Sequence, residues 1–304
     1  MSKNVPVNNK IKLSFGDKVF NVFNYAIFGL FALICVFPFY FIIINSISNN
    51  TAVVNGDVLF YPVGIHFENF EELFFIKGIG RSFLVSAARV VIGTSLSLVC
   101  TSFMGYCISR PELFARKIIY RMITLTMYLS AGLIPYILTI KSLGFQNNFW
   151  VYVVPGLISP FNLMLFKTFV ESIPTSLEES AQIDGAGYLT RYFRIVLPLC
   201  KPILATLCIF SAVGHWNSFM DTVYFMTKED WFTASFRLFQ VQNEADQLAR
   251  EIINGNSTEV DTSQMTASSL RFTIATVVTA PVLMIYPFFQ KYFTGGIMIG
   301  AVKG

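Results

Sequence analysis

The sequence predicts an all-α membrane protein with six transmembrane helices and both termini on the cytoplasmic side. Three observations carry this. Of 304 residues, 54% are hydrophobic and only 13% charged, about half the charged fraction of a soluble domain. Six runs approach the ~20 apolar residues that cross roughly 30 Å of hydrocarbon. Lys and Arg concentrate in alternate loops, as the positive-inside rule requires.

Residues 1–20, MSKNVPVNNKIKLSFGDKVF, form a basic, polar tail. The apolar run behind it is longer than a signal-peptide core and lacks a small-residue cleavage site, so the tail is expected to be retained on the cytoplasmic side. The membrane body is expected over 21–304, with spans at about 21–47, 81–108, 118–140, 149–170, 200–222 and 272–294. Prolines and polar residues punctuate the fourth and fifth. Neighbouring helices can satisfy the backbone groups such prolines free. With the N-terminus inside, fourteen of the 22 Lys and Arg lie on inside segments and seven on outside ones, while Arg89 falls within a span. Two outer loops are sizeable. Residues 48–80 hold a turn and an amphipathic piece, and 223–271 is polar and acidic. Neither is large enough for an enzyme domain.

Several classes are excluded. The five cysteines lie in or beside apolar runs without CxxC pairing and read as small apolar residues. No G-x-x-x-x-G-K-[ST] segment is present, so the sequence offers no P-loop nucleotide site. The two histidines, His66 and His215, form no nucleophile–base arrangement. No cofactor or metal is expected on this chain.

Between the fourth and fifth spans, on the inside, lies EESAQIDGAGYLTRYFRIVLP, residues 178–198. Pro174-Thr175 can open a helix. Thr175 with Glu178, or Ser176 with Glu179, fits a capping box, in which a hydroxyl and a later acid satisfy free backbone N–H groups. Gly185 and Gly187 break that helix. Tyr188, Tyr192, Phe193 and Val196 then recur at helical spacing up to Pro198. The loop 174–198 therefore reads as helix, turn, helix against the inner membrane face.

This loop resembles that of the permeases of binding-protein-dependent ABC importers, written E-A-A, three residues, G, nine residues, I, one residue, L-P. Glu179, Ser180, Ala181, Gly185, Ile195, Leu197 and Pro198 match at every step, with Ser180 the one departure. The stretch IPTSLEESAQIDGAG, Trp216 with Asn217, and the tail KYFTGGIMIGAVKG resemble the carbohydrate, maltose-type group, and the ending resembles its complex-oligosaccharide branch. The resemblance implies the type I ABC importer permease fold in a bacterial cytoplasmic membrane. It implies a coupling helix that docks on an ATP-binding subunit, with Glu178, Glu179, Ser180, Ala181, Asp184, Gly185, Ile195, Leu197 and Pro198 as coupling residues. The implied partners are a second homologous permease, two ATP-binding subunits that hold ATP and Mg, an extracytoplasmic solute-binding protein, membrane lipid and a sugar cargo, with no nucleic acid.

Other residues invite two readings each. Ser82, Ser86, Arg89, Gly93, Ser97 and Thr101 form one stripe of the second span. The stripe lines the translocation path, or it is a small-residue contact between helices. Asn162, Trp216 and Asn217 line a sugar path, or they bond neighbouring helices. Two rival functions also stand. A permease for a non-sugar solute would share the loop. A secondary transporter would need internal repeats and mid-membrane carboxylates.

Overall fold

The computed structural model describes residues 14–253 and 266–296. Lys3, Lys10, Lys12 and Lys303, part of the outer loop, and the tail from residue 297 lie outside them. The chain divides into two units, one of Met1–His66 with Thr262–Thr276 and one of Phe67–Asp261 with Val277–Gly304. Among the described residues every regular element is helical.

In the first unit, α1 runs from Phe15 to Ser46, so part of the expected tail is helix. Asp17 accepts a hydrogen bond from the Ser14 N–H at 3.0 Å and steadies its first turn. Its apolar side chains are largely exposed, as a lipid-facing helix requires. At its far end the chain turns polar. Ser48 Oγ donates to the Ile44 carbonyl at 2.6 Å and accepts from the Val63 N–H at 3.1 Å. These bonds fold α2 (Asn50–Asn55) back over a small core of Ile44, Ala52, Val53 and Val58.

In the second unit, α3 (Glu68–Phe75) leads into α4 (Ile79–Ser109), the long central helix. The whole stripe Ser82, Ser86, Arg89, Gly93, Ser97 and Thr101 is buried. Small residues let neighbours come close. A Cβ at Gly93 would stand 2.6 Å from the His215 ring, and one at Gly105 2.7 Å from Phe166. Ser86 Oγ accepts the Ala234 N–H at 2.9 Å. Two apolar clusters sit at the two ends of α4. One gathers Val85, Tyr152, Phe225 and Phe232. The other gathers Tyr106, Phe166, Tyr192, Val196 and Leu207.

The segment expected as the third span is two helices, α5 (Arg116–Thr126) and α6 (Leu133–Ser142). A continuous helix would drive the Pro135 ring into the carbonyl of residue 131, and Pro135 has no N–H to offer it. Gly132, at φ 86°, makes the break. The fourth is not a continuous 149–170 helix either. A 3-10 turn at Phe149–Tyr152 is followed by irregular chain and then α7 (Pro160–Glu171). Pro160 suits the first turn of a helix, where no N–H is needed, and the Ser159 side chain caps it by accepting from the Asn162 N–H.

After α8 (Ser176–Ile183), helical chain resumes as α9 (Tyr188–Leu199) and bends by 78° into α10 (Lys201–Asn217). Pro198 and Pro202 cause this. Pro198 removes a helical hydrogen bond near the end of α9, the π-type stretch at Tyr192–Val196 widens the ladder ahead of it, and Pro202 starts a fresh helix in the first turn of α10, where no N–H is needed. The short α11 (Met220–Phe225) and then α12 (Ala234–Ile253) follow, with α13 (Ala267–Gly296) closing the described chain. Among the described residues, α1, α4 and Ala267–Ile285 of α13 are long and apolar enough to cross a membrane alone. The bent pair α9–α10 makes a fourth if counted as one span.

Candidate functional site

The loop 174–198 forms helix, turn, helix. The capping box expected at Thr175–Glu178 or Ser176–Glu179 does not form. Thr175 is already helical (φ −62°, ψ −29°) and makes no side-chain capping bond. Glu178 is drawn elsewhere. It is buried, its Oε2 lies 2.5 Å from Arg110 Nη1, and the Tyr106 hydroxyl donates to it at 3.3 Å. The turn after α8 is set by backbone geometry. The Ala186 N–H reaches the Ala181 carbonyl at 2.9 Å and the Gly185 N–H reaches the Gln182 carbonyl at 3.0 Å. This is the Schellman closure, which puts the intervening residue in the left-handed region. Gly185 sits there at φ 82°, where a side chain is strained.

Of the other loop residues, Glu179, Ser180, Asp184 and Pro198 are exposed, and Ala181, Ile195 and Leu197 are half-buried. Leu177, Ile183 and Leu189 expose apolar surface, Ile183 to 87%. In α9, the Tyr192 hydroxyl meets Ser102 Oγ at 2.8 Å, and Arg191 donates to the Gln182 side chain at 3.1 Å. The loop is therefore tied to α4 by its inner groups and presents an apolar, acid-flanked outer face.

Near the start of α4, Arg89 is 3% exposed. Its Nη2 is ion-paired to Asp221, its Nη1 donates to the Ser218 carbonyl at 2.9 Å, and its guanidinium lies 4.7 Å from the Tyr152 ring centre. Ser218 closes the C-terminus of α10, where free carbonyls favour a cation. The Tyr152 hydroxyl donates to the Trp231 carbonyl at 2.6 Å and shares a 2.9 Å bond with Thr222. Arg89 Nε finds no partner. Beside it lies a cavity of about 430 Å³, lined by Arg89, Ser97, Asn162, Ser211 and His215 among others. The α4 stripe is buried throughout. Most of it is helix contact, while Arg89 and Ser97 also face a cavity.

The structure brings Arg89 and Asn162 together at that cavity. Trp216 is held elsewhere, its indole donating to the Val278 carbonyl at 2.9 Å, and Asn217 is exposed. Asp221, Tyr152, Arg110 and Tyr106 were not singled out from sequence. A buried Arg demands a partner, and Asp221 supplies it here.

Comparisons with known proteins fit this architecture. The family described as "Binding-protein-dependent transport system inner membrane component" matches residues 12–299. The polygalacturonan/rhamnogalacturonan transport system permease protein YtcP of Bacillus subtilis is 35% identical over 95% of this chain and 99% of its own. The maltodextrin transport system permease protein MalD of Streptococcus pneumoniae is 24% identical over 98% of this chain and 100% of its own. The crystal structure of a bacterial ABC transporter involved in the import of the acidic polysaccharide alginate contains a chain that superposes with TM-score 0.79. It is 28% identical, and the match covers 93% of this chain and 99% of that one. With an all-helical fold of the type I ABC permease kind and a match over nearly its whole length, the chain belongs to the family of inner-membrane components of binding-protein-dependent transport systems.

Proposed function

We propose that this permease moves a sugar or oligosaccharide through the cytoplasmic membrane by alternating access, driven by ATP hydrolysed on partner subunits. The observation that carries the reading is the loop 174–198, a short helix closed by a Schellman turn that is anchored on its inner side and apolar on its outer side. A short rigid helix with an exposed apolar face suits docking in a partner's groove and can transmit a displacement, as a long flexible loop cannot. The assembly would comprise a second, homologous permease and two ATP-binding subunits that bind ATP and Mg. An extracytoplasmic binding protein would deliver the cargo. Glu179, Ser180, Ala181, Asp184, Gly185, Ile195, Leu197 and Pro198 carry the docking and turn geometry. Six spans with both termini cytoplasmic follow if α5–α6 and the 149–171 segment each traverse as a broken span beside the four stronger ones.

The cargo class rests on the named cargoes of the relatives, which are polysaccharides and oligosaccharides. On this chain, the cavity beside Arg89 and Asn162 is the proposed part of the sugar path. The Arg89 Nε–H is unpartnered and buried, so it becomes a donor for a cargo hydroxyl or carboxylate once the side chain turns into the cavity. The test is uptake by the reconstituted importer of an oligogalacturonide and a neutral maltooligosaccharide, with ATP turnover followed in parallel. Saccharide uptake driven by ATP supports the reading. ATP turnover and uptake that respond to a non-sugar solute and to no saccharide overturn it.

A further inference from the structure

We infer that Glu178, Arg110 and Tyr106 form a positioning lock that fastens the loop 174–198 to the end of α4, so that a displacement of the loop is handed to α4 instead of being absorbed in the turns around it. The inference rests on the coupling role proposed for that loop.

The argument starts from how α8 is attached. Glu178 is its buried residue, and the others are exposed or half-buried. Apolar packing therefore contributes little to holding α8 in place. On one side it hangs from the short link at Pro174, on the other from the turn at Gly185. Its fixed contact with the body is a carboxylate. That carboxylate meets Arg110, the residue that closes the C-terminus of α4.

Arg110 is itself held still. Its Nε and Nη2 donate to Ser109 Oγ at 3.1 and 3.0 Å, and its guanidinium lies 4.6 Å from the Tyr106 ring centre. Tyr106 adds its hydroxyl, which lies 3.3 Å from Glu178 and 3.4 Å from the carbonyl of Tyr188, the first residue of α9. Arg110 and Tyr106 thus bind the Glu178 carboxylate, and the Tyr106 hydroxyl, whose one proton is shared between Glu178 and the Tyr188 carbonyl, brings the start of α9 to the same point. Side-chain exposures of 17% for Arg110 and 8% for Glu178 mean that water does little to screen the pair. A half-broken pair would leave a buried, uncompensated charge, so the lock is either closed or strongly disfavoured.

The helix that receives the lock also bears Arg89. Over the 21 residues from Arg89 to Arg110 a helix rises about 30 Å. Along that rod α4 is packed through close glycine contacts with the His215 ring and with Phe166, which leaves little slack. A push at Arg110 therefore reaches the cavity end as a movement of the whole helix.

The test uses the complete importer, reconstituted with its ATP-binding subunits and binding protein, and reads solute transported per ATP hydrolysed. Arg110→Ala and Glu178→Gln are expected to lower that ratio about ten-fold, within the usual range of coupling between sites, while ATP hydrolysis itself persists. The charge exchange, Glu178→Arg with Arg110→Glu, is expected to recover part of it, which assigns the loss to the pair and not to either side chain alone. Should Arg110→Ala fail to assemble, Arg110→Lys decides. It keeps the charge, loses the fork on Ser109, and is expected to lower the ratio less. A native ratio in Arg110→Lys and Glu178→Gln overturns the lock. Glu179→Lys and Gly185→Val separate this from failure of the coupling role. If both keep native uptake and ATP hydrolysis, the loop is not the coupling element. If they impair transport while the lock variants keep a native ratio, the lock alone is wrong.

Discussion

Two arginines on α4 make the same kind of contact and end in different states. Arg110 stacks on Tyr106 and pairs with Glu178, and Arg89 stacks on Tyr152 and pairs with Asp221. Around Arg110 every donor nitrogen has an acceptor in Ser109 or Glu178. Around Arg89 the Nε remains without one, and a cavity lies alongside. A guanidinium offers five N–H donors, and leaving one unmet in a buried place costs free energy. A closed set of bonds suits a mechanical joint. A buried donor left unmet beside a cavity suits a group that can turn to meet a ligand.

The comparison is broken most severely by deleting an acid. Asp221→Ala leaves the 3% exposed Arg89 charge without its counterion. The expected loss is about 3–5 kcal/mol of stability, read as a lowered midpoint in thermal unfolding of the purified complex. Glu178→Ala is expected to cost less, because Arg110 keeps 17% of its side chain exposed and can turn towards solvent. Equal losses at the two sites would mean that burial does not govern the difference.

A smaller effect is expected from Gly185→Val. Forcing a β-branched residue to φ 82° costs about 1–2 kcal/mol locally. Because nothing lies within 4 Å of an added Cβ, the strain is conformational and not steric crowding. Uptake should fall while α4 and the Arg89 cluster stay folded. A native uptake rate in this variant would show that the turn geometry has no transport role.

Arg89→Lys sharpens the contrast by cargo. Lysine keeps the charge for Asp221 but loses the planar fork. One hydrogen bond is worth about 1 kcal/mol, so the ratio of uptake rates for two saccharides should shift roughly five-fold. Arg110→Lys should lower uptake of both saccharides equally. A cargo-independent loss in Arg89→Lys would remove Arg89 from the path.

How much of this was legible in sequence follows from the range of each interaction. The α4 stripe was visible because helical periodicity is local, and the Gly185 turn because a left-handed residue selects glycine. The splits near Pro135 and Pro160 were carried by proline chemistry, yet the apolar content of both segments outweighed it in a span count. Glu178 was misread for a physical reason. Three residues from Thr175 it fits a capping box, but a buried cation outcompetes the Thr175 backbone N–H for its carboxylate, and Arg110 is 68 positions away. Asp221 lies 132 positions from Arg89. Periodicity carries no information across such separations, so the partners of both arginines emerged only from the fold.

The mildest test concerns Ser180, the one departure from the family's loop pattern. Its hydroxyl donates to the Ser176 carbonyl at 2.8 Å, one turn back on α8, and the residue is exposed. Such a back-bond replaces water at a carbonyl already engaged in the helix and gains little. Alanine has the higher helix propensity and restores the family pattern. Ser180→Ala should therefore change stability by no more than about 0.5 kcal/mol and leave uptake and ATP hydrolysis unchanged. Transport falling several-fold with an unaltered unfolding midpoint would place the hydroxyl in contact with a partner. The exposed face of α8 would then join the inner lock as a site where polar bonds, and not only apolar contacts, hold the coupling helix in place.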